Sequence, residues 1–118
     1  MPENEILVWP DGSKYNGELK DGLPHGKGTM DFASGSRYTG EWANGRMNGR
    51  GTFYFTNGSI YIGEFVNGLQ DGVGTMVWPD GTKHEGEFKE GKKHGQGTTT
   101  YADGSTQTGM WLGGQFWG

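Results

Sequence analysis

The sequence predicts an all-β fold: an elongated, twisted, single-layer antiparallel sheet of about ten strands, built as a solenoid-like array of β-hairpins. Three observations carry that prediction. First, a pattern read from Tyr61 (Tyr61-Ile62-Gly63-Glu64-Phe65, Asn67-Gly68, Asp71-Gly72-Val73-Gly74-Thr75, Trp78-Pro79-Asp80-Gly81-Thr82-Lys83) recurs from Tyr38, Tyr15, His84 and, incompletely, Gln107. The spacing is 23 residues each time, without insertion. Second, of 25 glycines only Gly113 falls outside the columns of this repeat, a phase that a disordered Gly-rich linker has no reason to keep. Third, the chain is only 31% hydrophobic, with a mean hydropathy of −0.78. That is poor for one globular core but enough for a solenoid, where each unit buries a stripe against its neighbours.

Taken in order, Met1 to Asn4 reads as a short tail. Ile6 to Trp9 aligns with Thr75 to Trp78, so the first strand is the second half of an otherwise absent repeat, and 6–14 forms a half repeat. Pro10-Asp11-Gly12-Ser13 is then a tight turn, because proline presets φ and glycine tolerates φ above zero. Equivalent turns follow at Ser34-Gly35, Asn57-Gly58, Asp80-Gly81 and Asp103-Gly104. Strands are expected near 6–9, 15–20, 27–32, 38–43, 50–55, 61–66, 73–78, 84–89, 96–101 and 107–112, with longer connections such as Asn67 to Gly72 between hairpins. Residues 1–118 make a single array, its repeats starting near 15, 38, 61 and 84, with a partial one at 107. No window has a helical period, and glycine at this density costs about 1 kcal/mol per residue in a helix.

Alternation along a strand assigns the faces. Tyr61, Gly63 and Phe65 share one, so rings stand beside glycines and can lie flat over bare backbone. The other carries Glu18, Glu41, Glu64 and Glu87 beside Thr29, Thr52, Thr75 and Thr98, and reads as solvated, the glutamates pairing across strands with Thr, Lys or Arg.

Composition excludes several function classes. There is no cysteine, so neither disulfides nor a thiolate metal site is expected. A net charge of −4 argues against a dedicated nucleic-acid binder. No apolar run approaches the roughly 18 residues of a membrane span, and the acidic start lacks the basic n-region of a secretory signal. The chain therefore reads as cytoplasmic, or peripheral to a membrane. His25 and His94 lie three repeats apart, too far to share a metal, and no cofactor is expected. The Asp-Gly turns lack the carboxylate ladder of a calcium loop. Gly26-Lys27-Gly28 lacks the strand–loop–helix setting of a phosphate loop, and glutamates about 10 Å apart along the column do not form a glycosidase pair. Catalysis is not expected.

Tyr38-Thr39-Gly40-Glu41-Trp42 and Tyr61-Ile62-Gly63-Glu64-Phe65, with His25-Gly26-Lys27-Gly28 and His94-Gly95-Gln96-Gly97, resemble the MORN (membrane occupation and recognition nexus) repeat. The resemblance covers about residues 6–118 and departs at His84 and Gln107 (for Tyr), Met110 (for Glu), and Asn48 and Asp71 (for His). It implies a scaffold of β-hairpins that binds extended or helical protein segments along a groove and self-associates. The family also implies contact with phosphoinositide membranes, and fusion to enzymes of which no catalytic domain is expected in these 118 residues.

A single layer cannot cover its own apolar face, and contiguous apolar surface marks interaction sites. The central rings Tyr38, Trp42, Tyr61, Phe65 and Phe88 are therefore the candidate contacts for a peptide or protein partner. Trp111, Phe116 and Trp117 are candidates for self-association, or for capping the last hairpin. Lys89, Lys92 and Lys93 form the one compact basic group and define the alternative reading, a phosphoinositide-membrane module. A glycan stacking on Trp42 and Phe65 is a variant of that alternative.

Overall fold

The computed structural model describes residues 5–118, so the expected tail at 1–4 lies outside the described residues. Eleven strands form one open sheet in which each strand pairs antiparallel with its neighbours in sequence. They are β1 (Glu5–Val8), β2 (Lys14–Lys20), β3 (Leu23–Asp31), β4 (Arg37–Ala43), β5 (Arg46–Tyr54), β6 (Ile60–Val66), β7 (Leu69–Val77), β8 (Lys83–Lys89), β9 (Lys92–Thr100), β10 (Thr106–Leu112) and β11 (Gln115–Phe116). No described residue is helical. The array measures 46 × 23 × 23 Å. Its length follows from strands about 4.8 Å apart, and its two equal shorter extents show that the sheet is not flat but twists along its axis.

The connections differ from the sequence reading. Asp21-Gly22, Asn44-Gly45, Asn67-Gly68 and Glu90-Gly91 each place both residues at positive φ (for Asn67 and Gly68, 49° and 87°), as a two-residue type I′ hairpin requires. The expected connection Asn67 to Gly72 is thus only two residues long, and β7 begins at Leu69. The Pro-Asp-Gly-Ser class forms wider loops. Around Gly12, the Trp9 N–H donates to the Ser13 carbonyl at 2.9 Å and the Gly12 N–H to the Trp9 carbonyl at 3.0 Å, while the Ser13 N–H donates to Asp11 Oδ1 at 2.8 Å.

Strands of nine residues face strands of seven because each long strand carries a bulge. Gly17 pairs with Gly28 and Leu19 with Pro24, which leaves Glu18 alone opposite His25-Gly26-Lys27. The same register shift recurs at Glu41, Glu64 and Glu87. Each bulge has a left-handed glycine, with φ of 78° at Gly26 and 108° at Gly72, a conformation that a side chain disfavours. The glutamate closes it. Glu41 Oε1 accepts the Arg50 N–H at 2.6 Å and Glu64 Oε1 accepts the Val73 N–H at 2.6 Å. The expected pairing of the glutamate column with Thr, Lys or Arg is thereby corrected at Glu18, Glu41 and Glu64, whose carboxylates satisfy backbone donors freed by the bulge.

The core is a ladder of rings on one face. Tyr15, Trp42, Tyr38, Phe65, Tyr61, Phe88, His84 and Trp111 follow one another edge to face, with centroids 4.9–5.5 Å apart. Such T-shaped pairs contribute about 0.5–1.5 kcal/mol each beyond area burial. The tyrosines also cover glycine backbone, as expected. A Cβ added at Gly74 would stand 2.3 Å from the Tyr61 hydroxyl oxygen. That hydroxyl donates to the Glu64 carbonyl at 3.0 Å, as Tyr38 donates to Glu41 at 2.8 Å. Burial pushes the Tyr38 and Tyr61 phenols up to about 12.

Candidate functional site

The five central rings are the spine of the sheet more than its surface. Tyr38 and Tyr61 are wholly buried, and Trp42, Phe65 and Phe88 keep at most 5% of their area exposed. Their faces are spent on one another and on the glycines, so as a contact surface they offer little. The area left open on the ring face belongs to residues around them. Met47, Phe53, Phe55, Leu69, Gln70 and Met76 line an apolar cleft of about 310 Å³, with Phe65 as its floor. Strands β5 to β7 and the turns at Gly68 and Gly91 position these groups. Phe53 and Phe55 stack at 4.7 Å, and Phe53 meets Phe32 of the preceding repeat at 5.8 Å.

Sequence reasoning named Phe65 but missed Met47, Leu69 and Met76. The signal was present in the columns. Met47 stands in the series Pro24, Met47, Gln70, Lys93, Phe116, and Leu69 in the series Leu23, Arg46, Leu69, Lys92, Gln115. In both, only some repeats are apolar, which marks positions that the fold leaves free to vary.

One repeat further along, the cleft changes character. Lys93 Nζ lies 5.1 Å from the centre of the Trp78 ring and 4.6 Å from that of Trp111. Desolvation holds this amine below its ordinary pKa. Trp78, Pro79, Asp80, Thr82 and Lys93 border a shallow depression here. Lys89 and Lys92 pair directly across the turn at Glu90-Gly91 and edge a second depression with Lys93 and His94. The three candidate lysines are therefore neighbours, but the Lys93 ammonium is turned toward the indoles.

His84 takes the place of tyrosine in the ladder. Its Nδ1 lies 2.7 Å from Thr99 Oγ1, while its Nε2 is buried without a hydrogen-bond partner. Desolvation first, then the Lys93 charge, pull its pKa down to about 4.

Among the candidate self-association residues, Trp111 is buried and its indole N–H donates to the Gly97 carbonyl at 3.0 Å. Phe116 packs on it at 4.9 Å. Trp117, 69% exposed, retains open area. The face opposite the rings is only partly solvated. Tyr54, Ile60 and Val77 are consecutive cross-strand partners, and with Ile62 and Val73 they place an apolar patch among the threonines.

The family comparison agrees with the repeat geometry. The MORN repeat family matches residues 15–37, 38–60, 61–83 and 84–106 in direct succession. No curated protein shows significant similarity to the chain. Among solved structures, the SAS-4 (dCPAP) TCP domain in complex with a Proline Rich Motif of Ana2 (dSTIL), from Drosophila melanogaster, is 14% identical, with a TM-score of 0.36. That match covers 92% of this chain and 90% of that one.

Proposed function

The chain belongs to the MORN repeat family, whose repeats are generally protein- or membrane-interaction modules, and from that premise we propose that it is a non-catalytic protein-interaction scaffold. It takes a peptide or protein segment into the apolar cleft of its ring face. The observation that carries this reading is the cleft over Phe65. Two of its walls, Met47 and Leu69, are apolar in columns where other repeats have polar or charged residues, so the fold does not require them to be apolar. One aliphatic side chain buried there contributes about 1.5–3 kcal/mol. Two or three supply about 3–9 kcal/mol before the cost of association, so a micromolar partner, at about 8 kcal/mol, also draws on contacts along the rest of the ring face.

The test uses substitutions that the array itself has already accommodated. Met47→Lys introduces the residue of position 93, and Leu69→Arg that of position 46, so the double variant is expected to keep its fold, which its circular dichroism checks. A random dodecapeptide library is selected against the wild-type protein, and enriched peptides are titrated by fluorescence polarisation. Expected are aliphatic-rich peptides that bind the wild type and lose at least tenfold in affinity for M47K/L69R. Failure to enrich any peptide, or equal binding to a folded double variant, overturns the cleft as the binding site.

A further inference from the structure

We propose that the segment held in the cleft carries a carboxylate side chain about 10 Å beyond its apolar anchor, and that Lys93 receives it. This rests on the cleft reading above. Lys93 occupies the column that holds Pro24, Met47 and Gln70 in the earlier repeats, so a cation is not a requirement of the fold at this position. It stands one repeat along the array from the Gln70 wall of the cleft, and adjacent repeats are two strands, about 10 Å, apart. Three residues of extended chain span that distance.

The surroundings of Lys93 leave its charge open to an anion. The two indoles fix the ammonium by cation–π attraction and remove water from part of it, but they accept no N–H···O hydrogen bond. Among the described residues the ion pairs are Arg37 with Asp31 and Lys83 with Glu85, and Lys93 takes part in none. Asp80 borders the same depression and stays ionised, but it is held in its own turn by the Thr82 N–H at 2.8 Å and forms no ion pair with Lys93. A cation partly desolvated and held in one place loses little further freedom on pairing, so an arriving carboxylate gains more from it than from a free surface lysine. The indoles on either side shelter the pair from solvent screening. The ring-face site thus reads as an apolar cleft with one positive end, and its partner class as a hydrophobic segment followed or preceded by Asp or Glu.

The experiment takes an aliphatic dodecapeptide enriched on the wild-type protein and walks a single Glu along it, with Gln at the same positions as control. Each peptide is titrated against the wild type and Lys93→Gln, which carries the residue native to position 70. The expected result is a Glu preference of at least fivefold over Gln, confined to positions about three residues from the aliphatic anchor. That preference is abolished in K93Q and weakened by raised salt, while the Gln peptides bind both proteins equally. Equal affinity for Glu and Gln peptides, or a Glu preference that survives K93Q, overturns the role of Lys93 and leaves the cleft standing. Loss of all peptides in K93Q means that Lys93 holds the cleft together and does not select a charge, which also overturns the inference. If no peptide binds the wild-type protein, the cleft reading fails and the inference fails with it.

Discussion

His84 Nδ1 and Thr99 Oγ1 lie 2.7 Å apart in the core of the array, where the other repeats pair Tyr15 with Met30, Tyr38 with Phe53 and Tyr61 with Met76. The exchange replaces a phenol that donates to a backbone carbonyl with an imidazole whose Nε2 has no partner. Neighbouring charges are Lys93, which opposes protonation, and Glu85, which favours it less strongly. With a folded pKa near 4 against an ordinary 6.5, the unfolded chain binds the extra proton. The contribution of this site is then complete above pH 6.5 and declines as pH falls toward 4, by on the order of 3 kcal/mol. Urea midpoints at pH 7, 5.5 and 4 test this. The variant H84Y/T99M is expected to lack this part of the decline, and an identical slope in the variant sinks the assignment.

Trp42 and Phe65 are expected to act on stability before they act on binding. Each loses two edge-to-face ring contacts on truncation, and Trp42 also loses its N–H bond to the Gly28 carbonyl at 3.0 Å. Trp42→Ala and Phe65→Ala should each cost about 3–5 kcal/mol, read as a lower urea midpoint. A variant with an unchanged midpoint means that these rings serve the surface after all.

Gly74 is a packing requirement and not a conformational one. Gly74→Ala should cost about 3 kcal/mol through overpacking and reduce the near-ultraviolet circular dichroism of the tyrosines. At Gly81 a Cβ meets nothing within 4 Å, though φ is 92°. Gly81→Ala is therefore expected to cost about 1–2 kcal/mol from backbone strain alone with the aromatic signal intact. Equal aromatic spectra for both variants count against the ring-over-glycine seating.

Glu64 acts as an acceptor for backbone, so its role separates from its charge. Glu64→Ala strands the Val73 N–H in the bulge and should cost about 1–2 kcal/mol, whereas Glu64→Gln keeps an oxygen at the same place and should recover most of that. Hydrogen exchange at the Val73 amide is the direct readout. Protection that persists in the alanine variant excludes the carboxylate as its partner.

The repeat and its phase were legible from the chain because covalent spacing is a sequence property: columns 23 residues apart must stack if they fold at all. The same columns foretold the rings over glycine, since a glycine kept in phase with a tyrosine needs a reason. What hid the early start of β3, β5, β7 and β9 was the bulge. Its two extra residues break the alternation on which strand recognition depends, so that Leu69 to Gly72 read as loop although Asn67-Gly68 already signalled a two-residue hairpin.

The site was less legible. Whether a ring is spine or surface depends on what stands on both sides of it, and sequence spacing cannot rank Phe65 below Phe53 or Met47 in exposure. That Glu18, Glu41 and Glu64 close the bulges was hidden because their partner is a backbone N–H, which leaves no trace in residue identity. By itself the sequence determined the all-β class, the repeat and the ladder's members, through strict periodicity and the small volume of glycine. Only the tertiary structure decided which faces the ladder uses up, that Lys93 turns between Trp78 and Trp111, and that His84 buries a nitrogen without a partner. These depend on distances across strands that covalent order does not encode.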